Sequence, residues 1–318
     1  MNWDRLGLNR RPFRAAPSLD LFVPLPSHEA ALAALRSAFD AGDGIAILDG
    51  GPGTGKSLVA LRFLESLGRD VLPIYVPAAR FSKASDLHQT ILFDLGQDYR
   101  GLSDHELRLA LADHYLKALA ESKRGVLVLD EAQHLTAELL EEVRLLDNWD
   151  ARGTKAVFTV LVAQPDLRDR FQRADCELLA GRVNCRVRLD ALALEESRTF
   201  LKSQLEMCGR SSGEPASDEA LDLFARYGRG NPRFLNRLAS TALDLAFEAG
   251  ADGVDIEAAY EAATRAGIEL EEAAEPSQPA SPADAAKSKA GAVREAGEGR
   301  ESAEVRPPKQ KARTRRAA

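Results

Sequence analysis

Eight consecutive residues, Gly50, Gly51, Pro52, Gly53, Thr54, Gly55, Lys56 and Ser57, constrain this chain more than any other stretch. They lie directly after the strand-like run IAILD and directly before the helix-like run LVALRFLESL. Glycines tolerate positive φ and close backbone approach, so successive N–H groups and the amino end of the next helix can surround a phosphate chain. The spacing brings Lys56 to the β and γ phosphates and lets the Ser57 hydroxyl ligate Mg²⁺. A chance glycine-rich turn would match the letters but not the strand and helix that flank them.

That turn belongs to a longer alternation. Between Ile45 and about Leu189, the runs IAILD, VLPIYV, GVLVLD, VFTVLVA and CRVRL alternate with segments of helical apolar spacing. This pattern predicts an α/β fold, a parallel sheet with helices on both faces. Ser103 and Glu106 have the spacing of a capping box ahead of LRLALADHYLKALAE. From about Leu194 to Ala266 no strand pattern occurs, and amphipathic segments such as DEALDLFARYG and FLNRLASTALDLAFEAG predict a small all-helical domain. After Glu272 the chain is rich in Ala, Glu, Pro, Ser, Lys and Gly and has little to bury, so disorder is expected there. The expected division is 1–192, 193–272 and 273–318.

A second chemical signal is GVLVLDEAQHL, in which four aliphatic residues run into Asp130 and Glu131. A strand buried on both faces would deliver those carboxylates to its C-terminal end, where open α/β sheets bind ligands. Asp130 would hold Mg²⁺ through water, and Glu131 would polarise the water attacking the γ phosphate. Gln164, at the end of VFTVLVA, is either a water-orienting amide or a turn residue before Pro165. Arg182 falls between a helix and the last strand run, facing a neighbouring subunit's nucleotide or simply solvent. Arg233 follows Pro232 at a helix start, with Gly228 and Gly230 freeing the turn, and either bridges two domains through a phosphate or caps a surface helix.

Composition narrows the field. The charge is −7, yet from Ala273 onward ten Lys/Arg face six Asp/Glu, and PPKQKARTRRAA holds five basic residues and no acidic one. An acidic body argues against wholesale nucleic-acid binding, while the basic tail is either solvated or a contact for nucleic acid or an acidic partner. No uncharged apolar run approaches the roughly 18 residues of a membrane span. Three cysteines at irregular spacing form neither a disulfide framework nor a zinc motif, and MNWDRLGLNRRPF lacks the pattern of a secretory signal. A cytoplasmic location is expected. The five histidines show no HExxH and there is no GxSxG elbow, so the sequence implies no metal beyond Mg²⁺ and no serine or cysteine nucleophile.

Taken in order, GLNRRPF, the segment His28-Glu29-Ala30, GGPGTGKS, VLVLDEAQHL, VLVAQPDL, the arginine before the last strand and GRGNPRFLNRLA resemble the ExeA-like AAA+ ATPases over roughly residues 4 to 266. These are similar to the MuB and TniB transposition helpers and, more distantly, to origin-recognition ATPases. The resemblance implies a P-loop NTPase core of three αβα layers followed by a helical lid. It implies ATP with Mg²⁺, and Walker B roles for Asp130 and Glu131. Gln164 would be sensor 1, Arg182 an arginine finger acting on the next subunit and Arg233 sensor 2, with Pro12, Phe13 and His28 bordering the adenine. A homo-oligomer, a protein client and DNA are the implied partners. Secretion members of the family carry a membrane span and a peptidoglycan-binding module, and neither is found in these 318 residues. The family therefore speaks to the motor and not to its client.

Overall fold

The structure, a computed structural model, describes residues 3–151, 153–171, 176–209 and 215–268. The expected disordered segment, 273–318, lies outside the described residues. The chain begins with α1 (Pro26–Asp40), β1 (Ile45–Gly50), α2 (Lys56–Ser66), β2 (Val71–Val76), α3 (Ala84–Asp94), α4 (Asp104–Ala120) and β3 (Arg124–Leu129). It continues through α5 (Ala137–Leu146), a short antiparallel pair β4 (Asp150–Ala151) and β5 (Thr154–Lys155), β6 (Val157–Ala163), α6 (Asp166–Arg170), α7 (Glu177–Ala180) and β7 (Val183–Leu189). Four helices follow: α8 (Leu194–Cys208), α9 (Asp218–Tyr227), α10 (Pro232–Ala249) and α11 (Ile256–Arg265).

All five long strands run parallel, in the order β2-β3-β6-β1-β7. Their side chains separate into two cores, as the period of two along a strand requires. Ile45, Ile47, Leu127, Leu129 and Leu161 pack with α3, α4 and α5 on one face. Ala46, Leu48, Val126, Val128, Val160 and Val162 pack with α1 and α2 on the other. The expected three-layer αβα arrangement is therefore present. Interior strands β1, β3 and β6 are buried throughout, which is why their sequences are unbroken aliphatic runs. β7 at the edge alternates in exposure, and Pro73 is accommodated in β2 because that strand is the opposite edge.

On the α2 face, Phe39, Phe63 and Phe158 meet edge to face with centroids 5.8 to 6.5 Å apart. Such pairs contribute about 0.5–1.5 kcal/mol each beyond area burial. The capping box of α4 forms as its spacing predicts, with the Ser103 N–H donating to the Glu106 carboxylate at 2.8 Å. α10 starts at Pro232 under an Asn231 cap and ends at Gly250, whose φ of +74° closes the helix in the left-handed region.

A third core unites α8 to α11 with the start of the chain. Leu6, Leu8, Phe13, Leu21 and Val23 are buried against Leu201, Leu205, Leu235 and Leu238. The amino-terminal segment, grouped by sequence with the sheet, thus packs on the helices. Its apolar residues are too irregularly spaced to reveal which core they enter.

Candidate functional site

The loop Gly50–Gly55 leaves the C-terminal end of β1, an interior strand between β6 and β7, and open sheets place their ligand crevice at that end of the strands. Gly53 and Gly55 have φ of +78° and +95°, a region other residues enter only with strain. A Cβ on Gly53 would lie 2.5 Å from Asn231 Oδ1 and 3.0 Å from the Arg233 Cβ. The loop is therefore pressed against the start of α10. Two hydrogen bonds hold it there, Asn231 Nδ2 donating to the Pro52 carbonyl at 2.8 Å and the Arg233 N–H to the Gly53 carbonyl at 3.3 Å.

Lys56 opens α2 with its side chain buried, and its ammonium donates to the carbonyls of Gly50 at 3.0 Å and Gly51 at 2.7 Å. Burial lowers its pKa, opposed by the nearby Glu131 and Asp130 carboxylates. Asp130 follows β3 and is buried, with Oδ1 accepting from the Glu131 N–H at 2.8 Å and Oδ2 from the Tyr75 hydroxyl at 2.7 Å. Glu131 adopts φ 57° and ψ 36°, a left-handed conformation that costs a non-glycine residue of order 1–3 kcal/mol. That turn aims its carboxylate back at the cavity beside Lys56, Ser57, Gln164 and Arg233. Gln133 ties the arrangement together. Its amide nitrogen donates to Glu131 Oε2, and its oxygen accepts from the Gln164 N–H at 3.1 Å.

The other end of the cavity is less polar, lined by Ala15, Ala16, Pro17, Leu21, His28 and Phe200. His28 is buried with Nε2 3.3 Å from the Thr54 carbonyl, and burial pushes its pKa down. Pro12 and Phe13 do not line this cavity. Phe13 turns into the helical core, with φ +52° and its N–H donating to Gln204 Oε1 at 3.1 Å, so residues 14–18 form the wall expected of Pro12 and Phe13.

Arg182 is placed apart from the other candidates. Its guanidinium donates to Asp147 Oδ2 at 3.0 Å, and Asp147 is a buried carboxylate beside Gly44, ahead of β1. Arg182 therefore occupies the end of the sheet opposite Gly50 and cannot reach a ligand in its own chain's cavity. The turn before α10 also departs from its simple reading. Gly230 has φ +64°, but Gly228 has φ −70°, and there glycine serves packing because a Cβ would meet Leu235 Cδ2 at 2.2 Å.

Sequence reasoning missed Tyr75, Gln133 and Asn231. Gln133 stands two residues after Glu131, a spacing that a 3₁₀ turn brings within reach, and Asn231 precedes Pro232 as an N-cap. Tyr75 carried no signal, since its partner lies 55 residues away.

Among the described residues no group of three or more His, Cys, Asp or Glu is placed to hold a metal ion. The donors near the loop are instead one hydroxyl and one carboxylate, hard oxygens of the kind that hold Mg²⁺ together with phosphates. No described helix is long and apolar enough to cross a membrane.

Residues 40–171 match the family described as AAA domain. The chain is 31% identical over 263 residues to the general secretion pathway protein A of Aeromonas hydrophila, covering 80% of this chain and 47% of that protein. It is 32% identical over 104 residues to the ATP-dependent target DNA activator B of Escherichia phage Mu, 33% of this chain and 31% of that one. The chain thus spans about half or less of the curated relatives it matches. Among solved structures it is similar to the Cdc6p protein of Pyrobaculum aerophilum, with TM-score 0.66, 19% identity and coverage of 81% of this chain and 71% of that one. The Aeropyrum pernix ORC2 protein in its ADPNP-ADP complexes gives TM-score 0.63 at 18% identity, covering 77% and 68%.

Proposed function

From a chain whose residues 40–171 match the AAA domain family, on a fold shared with Cdc6 and ORC2 proteins, we propose an ATPase that binds and hydrolyses ATP with Mg²⁺ and converts nucleotide state into movement of its helical lid. The observation that carries this reading is the meeting of Lys56, Ser57, Glu131, Gln164 and Arg233 around one cavity at the end of β1. They come from two helices, α2 and α10, and from the segments that follow β3 and β6.

In this reading the N–H groups of Gly53 to Ser57 cradle the phosphates, and Lys56 exchanges the carbonyls of Gly50 and Gly51 for phosphate oxygens. Ser57 and Asp130 would hold Mg²⁺, which would supply positive charge to the phosphate oxygens. Glu131 takes a proton from the attacking water, and the Gln133 bridge fixes its distance from Gln164. Arg233 sits on the helical lid yet borders the cavity, so loss of the γ phosphate removes a charge that draws α10 onto the loop. Arg182, remote from its own cavity, completes the site of a neighbouring copy, which makes the working unit an oligomer. Lys56→Ala and Glu131→Gln should each lower ATP turnover by at least a hundredfold in a phosphate-release assay. Turnover within threefold of wild type in both would overturn the reading.

One observation favours a second reading, an ATP-controlled scaffold on DNA. A groove beside the cavity, sharing Pro52 and Arg233 with it, is lined by Arg11, Arg14, Arg237, Phe13 and Phe234. Cations interleaved with aromatics suit a phosphate backbone, and similarity to a phage target DNA activator points the same way. DNA binding that appears only with ATP and weakens steeply with salt would support it; no binding at low salt would remove it.

A further inference from the structure

Tyr75 is the one polar side chain on β2 that reaches the site, and the register explains how. It pairs with Val128 in the parallel β2–β3 ladder, so its side chain shares a face with Val128 and, two residues on, with Asp130. That face is the one covered by α2, whose first turn carries Ser57. The ring packs against the core beneath α2, half-buried, and the hydroxyl reaches the Asp130 carboxylate. It donates to Asp130 Oδ2 at 2.7 Å.

Asp130 is thereby fixed at both oxygens, Oδ1 by the Glu131 N–H and Oδ2 by Tyr75. A carboxylate oxygen has a second lone pair, so these bonds orient Asp130 without exhausting its capacity to accept. Partners behind metal-site residues govern affinity because they set the direction of the donor atoms.

We propose that Tyr75 is the positioning residue of the magnesium site, its phenol hydroxyl holding the Asp130 carboxylate in the direction the cation needs. This rests on the reading of Ser57 and Asp130 given above. The role is separate from packing, because phenylalanine keeps the ring and removes only the hydroxyl.

The test is calorimetric titration of ATP into wild type and Tyr75→Phe, each in EDTA and in millimolar Mg²⁺, followed by Mn²⁺ titration of the ATP-bound proteins monitored by electron paramagnetic resonance. With EDTA the two proteins should bind ATP within about twofold of each other. The gain on adding Mg²⁺ should be about tenfold smaller in Tyr75→Phe, and Mn²⁺ affinity should fall by about the same factor. Equal gains and equal Mn²⁺ affinity in the two proteins would overturn the proposal alone. Loss of ATP binding in EDTA would also overturn it, by showing that the hydroxyl supports the loop as a whole. A wild type with no Mg²⁺-dependent gain would overturn the parent reading, and the proposal with it.

Discussion

Replacing Gly53 with alanine would place a methyl group where the phosphate loop touches α10. The backbone there has φ +78°, and the new Cβ would stand 2.5 Å from Asn231 Oδ1 and 3.0 Å from the Arg233 Cβ. An L-residue in the left-handed region costs about 1–2 kcal/mol. Relieving the contact requires Asn231 to withdraw, and its 2.8 Å bond to the Pro52 carbonyl contributes about 0.5–1.5 kcal/mol more. The expected loss is therefore roughly 1.5–3.5 kcal/mol. Gly51→Ala is the matched control, because Gly51 does not have positive φ and its Cβ would approach only Thr54 Cγ2, at 3.7 Å. Stability to guanidinium should fall by the amount above in Gly53→Ala and by less than about 0.5 kcal/mol in Gly51→Ala. Equal effects in the two variants would refute the claim that the loop is clamped to the helix at this glycine.

Two further perturbations test separate parts of the account. Mixing Glu131→Gln with Arg182→Ala subunits, each inactive alone, should restore part of the ATP turnover, since one interface in the mixture joins an intact Glu131 to an intact Arg182. Turnover no higher than in either parent would count against action between subunits. The second perturbation is acidification. The folded-state pKa of His28 lies below its ordinary value, so the unfolded chain binds its proton first. Stability from this group is complete above about pH 6.5 and declines as pH falls below it, by at most about 1.4 kcal/mol per unit. His28→Gln should flatten the slope of melting temperature between pH 7.5 and 5.5, and an unchanged slope would show that His28 takes up its proton equally in the folded and unfolded chain.

The sheet was legible because its interior strands are buried on both faces. IAILD, GVLVLD and VFTVLVA can be little else, and their ends carry Gly50, Asp130 and Gln164 to one edge. The loop was legible because glycine, lysine and serine are each required at fixed offsets. Contacts made by tertiary packing were not. Nothing local in VLPIYV tells that Tyr75 meets Asp130, and nothing in GLNRRPF tells that Phe13 turns into the helical core while Arg14 to Ser18 face the cavity. Arg182 was found by position before the last strand, but its bond to the buried Asp147 depends on α5 and could be seen only in three dimensions. The strained backbone of Glu131 is likewise invisible in the letters DEAQ, although it sets the direction of the carboxylate.

The central claim is that the loop from Gly50 to Ser57 holds the triphosphate of ATP. Isothermal titration calorimetry of Mg-ATP into the folded chain measures this most directly. Saturable binding to one site per chain, weakened at least tenfold by Lys56→Ala, is the predicted result. No heat of binding at millimolar Mg-ATP, or equal affinity in wild type and Lys56→Ala, would contradict it.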